Sequence, residues 1–146
     1  MSRGDNGGNK IKTIIPIIGV IIALIVASGD PIRHANERDA RKIASEGFSD
    51  ELANIINDAC SDPYKVTRSI NQPEYIISIN TLGAELKIIY MSVGLWGEPV
   101  EKDITKIFPD ATAVDLSGFR MEKGTYKIEA TQRADLKVYV ECKKVP

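Results

Sequence analysis

One stretch of this chain dominates what it can fold into. From Thr13 to Ala27 there is no charged residue, and the run Ile14, Ile15, Pro16, Ile17, Ile18, Gly19, Val20, Ile21, Ile22, Ala23, Leu24, Ile25, Val26 is almost wholly aliphatic. A membrane-spanning helix needs about 20 apolar residues and the core of a secretion signal about 7–15, so the run lies between the two. Lys10 and Lys12 precede it and Val26-Ala27-Ser28 offers small residues at its end. Three outcomes are therefore open: an uncleaved anchor over residues 13–28 in contact with membrane lipid, a signal removed near Ser28, or a core helix, which is disfavoured because a helix apolar on all faces needs a larger core than this domain offers. The expected division of the chain is a disordered polar leader over 1–12, a transmembrane or signal-anchor helix over 13–28, and a single α+β domain over 30–146. The lysines in front of the run and Asp30 behind it place that domain on the extracytoplasmic side.

Helix punctuation follows. Asp30 caps and Pro31 occupies a first turn, predicting a helix from Pro31 to about Glu46, stopped by Gly47. Ser49, with Asp50 and Glu51 behind it, predicts a second start. Leu52, Ile55, Ile56 and Ala59 then recur at the spacing of a buried helical face.

The rest reads mainly as strands. Isoleucine occurs 21 times, against three Phe and one Trp, which favours extended structure. Alternation predicts a hairpin from about Tyr75 to Val93 that turns at Asn80–Gly83, and a strand near Ala113–Leu116. A second hairpin sets Tyr126, Ile128 and Ala130 beside Leu136, Val138 and Val140, with charges on the opposite face. Val100, Ile104, Ile107 and Phe108 suggest a short helix over Pro99–Phe108, whose acidic residues Glu98, Glu101 and Asp103 would favour its dipole. The expected fold class is α+β: an N-terminal transmembrane-type helix, then helices packed on an antiparallel sheet of four to five strands.

Several functions are disfavoured by what the chain lacks. The formal charge is −1, so no basic excess exists to bind nucleic acid. His34 is the only histidine, which leaves no multi-histidine metal site, and no phosphate-binding loop or nucleophile elbow occurs. No cofactor is implied, and no nucleophile–base pair suggests an enzyme. Two features remain as candidates. Cys60 and Cys142 are the only cysteines, a possible disulfide in an exported domain. The loop Gly94-Leu95-Trp96-Gly97-Glu98-Pro99 holds the only Trp, so Leu95 and Trp96 either anchor a partner or fold back onto the core.

The segment Ile15-Pro16-Ile17-Ile18-Gly19-Val20-Ile21 resembles the Pro-Val-Ile-Gly-Val-Ile run of archaeal pilin N-termini. The order of elements over residues 8–46 is also similar to that of type IV pilin-like proteins: basic leader, apolar helix, Pro31, then the charged helix Arg38-Asp39-Ala40-Arg41-Lys42. The pattern departs from the family's in having no Glu near the start of the run, Thr13 where Gly or Ala is usual, and Gly29-Asp30-Pro31 across the helix. The resemblance implies a subunit whose apolar helix anchors the precursor and later packs in a filament. The functional expectation is a non-enzymatic, single-pass membrane-anchored protein that works by protein contact or self-association. The alternatives are a secreted ligand-binding module released near Ser28, and an enzyme of unstated reaction.

Overall fold

The computed structural model describes residues 31–61 and 65–146. Among the described residues one helix, α1 (Pro31–Ser61), is followed by seven strands. These are β1 (Val66–Gln72), β2 (Ile76–Leu82), β3 (Glu85–Val93), β4 (Pro99–Ile107), β5 (Ala113–Ser117), β6 (Gly124–Gln132) and β7 (Lys137–Lys144). They form a four-stranded sheet in the order β1-β6-β7-β5 and a three-stranded sheet in the order β2-β3-β4. All neighbours are antiparallel except β5 and β7, which run parallel.

The expected fold class is corrected on four points. First, a single helix replaces the several that were expected over 31–62. α1 runs 31 residues, about 46 Å. It continues through Gly47 because Ser45, Phe48, Ser49, Leu52, Ile55, Ile56 and Ala59 form one buried stripe across that point. Ser49 does not cap a new helix: its hydroxyl donates back to the Ser45 carbonyl at 2.7 Å. Second, Pro99–Ile107 is a strand. Residues four apart share a face in a strand as well as in a helix, so Val100 and Ile104 fit both, and nine consecutive residues of β4 pair with β3. Third, β1 had no counterpart in the expectation. Fourth, the strands make two sheets, one with a parallel pair, where one antiparallel sheet was expected.

The single-pass membrane placement is corrected as well. Among the described residues no helix is long and apolar enough to cross a membrane. α1 has the length, but Arg33, Glu37, Arg38, Asp39, Arg41 and Lys42 make its first half polar. The expected leader over 1–12 and membrane segment over 13–28 lie outside the described residues.

The core forms where the apolar stripe of α1 meets the inner faces of both sheets. Phe48, Leu52, Ile55 and Ile56 pack with Ile70, Leu86, Ile88, Tyr126, Ile128, Val138 and Val140. Both hairpins form, but the first turns later than expected, with Asn80–Leu82 still paired to β3, and Leu136 lies in the second turn at φ 64°, exposed, and not on the inner face of β7. In β2, however, the register slips between Ile76 and Ser78, which buries Ile76 and leaves Ile77 partly exposed. Two ion pairs fasten α1 to the sheets: Arg68 with Asp58, and Lys106 with Asp50 at 2.5 Å.

Candidate functional site: the loop between the third and fourth strands

β3 and β4 are joined by Gly94–Glu98, and the chain braces this loop from inside. The Gly94 amide donates to the Glu98 carbonyl at 2.8 Å, and the Gly97 amide to the Gly94 carbonyl at 3.2 Å. The Trp96 amide donates to Glu98 Oε2 at 2.8 Å. A Cβ on Gly94 would overlap the Glu98 carboxylate, so this brace requires glycine. Gly97 has φ +81°, and a Cβ there would press on the His34 ring of α1. The outcome is that Leu95 and Trp96 stand 52% and 54% exposed. Trp96 is not part of the core cluster.

The first half of α1 backs the loop. Arg41 donates to the Met91 carbonyl at 2.9 Å, just before the loop begins. The same guanidinium bonds Glu37 at 2.7 Å and lies 5.2 Å from the centroid of the Tyr75 ring. Burial raises the Tyr75 hydroxyl's pKa above 10.0, with the Arg41 charge pulling the other way. Tyr75 therefore stays neutral and serves as a packing surface. Arg38 lies between His34 and Arg41 along the helix and is half-buried, with no partner on its Nε. Apolar Ile32 is exposed at the start of the same helix. Sequence reasoning missed the roles of Arg41, Tyr75 and Glu98. Glu98 reads in the sequence as part of a helix start, where the structure has a loop leading into β4.

The other candidates fall elsewhere. Cys60, at the end of α1, and Cys142, on β7, are both free thiols. Burial pushes the Cys142 thiol up to about 11, and burial with nearby Asp110 raises Cys60. Neither offers a thiolate near neutral pH. Glu101 and Asp103 lie on β4, with Asp103 3.6 Å from Lys87. Among the described residues no group of three or more His, Cys, Asp or Glu is placed to hold a metal ion. One open groove of about 490 Å³ lies across β5, β6 and β7 and is lined by Lys127, Glu129, Glu141 and Lys143 among others. Its lining is salt-bridged surface: Lys65 bonds Glu129 at 2.8 Å, and Lys127 lies 3.8 Å from the same carboxylate. Like charges sit directly opposite one another there, Lys127 against Lys143 and Glu129 against Glu141.

Comparison with protein-family models gives no match, and comparisons with characterised proteins and with solved structures give none either.

Proposed function

We propose that this is a non-enzymatic protein-interaction domain whose contact site is the Leu95–Trp96 loop together with the adjoining first half of α1. The observation that carries this reading is the braced exposure of Trp96. A large aromatic held outward by three hydrogen bonds loses little freedom when a partner covers it. Arg38, half-buried on the same half of α1, adds a positive charge to the site. A matching surface would combine an apolar recess for Trp96 with an acidic group.

The test is site-specific photo-crosslinking from position 96 in the native host, with the same probe at exposed Lys123 as control. A discrete adduct at position 96, lost when Leu95 is changed to Ala, is the expected result. The same adducts from both positions would remove the proposal.

A second reading is self-association, as the pilin-like resemblance implies. It is favoured by the exposed Ile32, Ala40 and Ile43 on the first half of α1. In the same experiment it predicts an adduct of twice the chain's mass.

A further inference from the structure

Each sheet has two edge strands, and three of the four are either packed against another strand or guarded by charge. β2 packs against β5, and the turn after β2 is tied to β5 by the Val114 amide donating to the Gly83 carbonyl at 2.9 Å. β4 opens with Pro99 and alternates charge through Glu101, Lys102, Asp103 and Lys106, a pattern that discourages further pairing. β1 has none of these guards. It pairs with β6 over seven consecutive residues, Val66 to Gln72, without a bulge. It contains no Pro and no Lys, and its only charge, Arg68, is bonded to Asp58. Among the described residues β1 pairs with β6 alone. Beside it runs a groove of about 190 Å³ lined by Glu51, Asn54 and Ile55 of α1 and by Arg68, Ser69 and Ile70.

We infer that β1 pairs antiparallel with β1 of a second copy of this chain, about a two-fold axis at Ser69. The seven residues are self-complementary in that register. Ser69 meets its own copy, Thr67 meets Asn71, Arg68 meets Ile70, and Val66 meets Gln72. Outward-facing residues oppose outward-facing ones, inward oppose inward, and no like charges are set against each other. The outer row is small and polar throughout: Thr67, Ser69, Asn71. On the inner side the second copy's Arg68 lies opposite Ile70, beside the groove whose acidic wall is Glu51. β4 fails the same comparison. Centred on Asp103 it opposes Asp103 to itself, and a shift of one residue either way opposes lysine to lysine, at Lys102 with itself or at Lys102 with Lys106. The pairing joins two four-stranded sheets into one of eight through an isologous contact, which closes and does not propagate.

Disulfide trapping on the full chain tests this. Directly opposed residues have Cα atoms about 4.5–5.5 Å apart, within disulfide reach. The two copies of Thr67 would lie about 13 Å apart, out of reach. Under mild oxidation Ser69→Cys is expected to give a linked dimer at about ten times the yield of Thr67→Cys, with none from the unchanged chain. Equal yields at the two positions, or no dimer from Ser69→Cys, overturn the inference. Ser69→Glu supplies an independent measurement. It sets a carboxylate opposite Lys127 within one chain but two carboxylates against each other across the axis. The dimer fraction should fall about tenfold with the melting temperature held or raised. An unchanged dimer fraction overturns the inference.

Discussion

From Ser45 onward α1 buries one full face against both sheets, whereas from Pro31 to Ala44 no residue is fully buried. Leu52, Ile56 and Ala59 have no exposed surface, and Ile43 keeps 70% of its own. The two halves share one backbone and one axis. They differ in what surrounds them: the second half is the floor of the core, and the first is a surface held in place by Arg41 and by His34 against Gly97. A continuous helix can thus carry a contact surface without placing that surface in the fold's foundation.

The largest test of this contrast is truncation on each side of it. Leu52→Ala should lower unfolding free energy by about 2–5 kcal/mol, while Ile43→Ala should stay within about 0.5 kcal/mol. Denaturant midpoints measure both, and comparable losses would dissolve the distinction. Next is the tie between the halves. Arg41→Ala removes a charged hydrogen bond to the Met91 carbonyl and the contact with Tyr75, at an expected cost of about 1–2 kcal/mol. Amide exchange over residues 31–44 should speed up while residues 48–59 stay protected. Gly47, near the boundary, gives a smaller effect of opposite sign. Nothing lies within 4 Å of where its Cβ would sit, so Gly47→Ala should stabilise by up to about 1 kcal/mol. A loss on that change would mean the helix needs a weak point there.

The smallest effect concerns acid and belongs to the strands. Hydrogen bonding to Lys65 holds the Glu129 carboxyl below 4.5, and bonding to Lys144 does the same for Glu122. A depressed folded value means the contribution is complete above the ordinary carboxylate range and disappears as pH falls through the lower folded value. Both pairs are solvent-exposed, so the loss should be slight and should shrink further in high salt. Thermal scans from pH 6 to pH 3, with Glu129→Gln as reference, would register it.

Some of this architecture was legible in the sequence. Tyr126, Ile128 and Ala130, with Val138 and Val140, carry a period of two unbroken by ambiguity, and they are the centre of the sheet. The rest was lost for identifiable physical reasons. Val66 and Ile70 are the only apolar residues of β1, too few for alternation to register. Val100 and Ile104 are spaced by four, which a helix and a strand both satisfy. Around Gly47 the local stop signal was genuine, and burial of Phe48 and Leu52 outweighed it. For the candidate site, composition marked Leu95 and Trp96 but left their direction open. Their exposure follows from Glu98 turning its carboxylate back into the loop, and that residue carried a different meaning once a helix had been assumed after it.

The strand order β1-β6-β7-β5 has a consequence in time. β7 is the last strand in the chain and lies between two that precede it, while β1 waits about sixty residues for its neighbour β6. A growing chain can therefore close the β2-β3-β4 meander early, from neighbours in sequence, but the larger sheet must be zipped from its far end. Until residues 124–144 have been made, the inner faces of β1 and β5 have no sheet to join and the apolar stripe of α1 is covered on one side only. The larger sheet is therefore expected to form after α1 and the smaller sheet, because its pairings are the more distant in sequence.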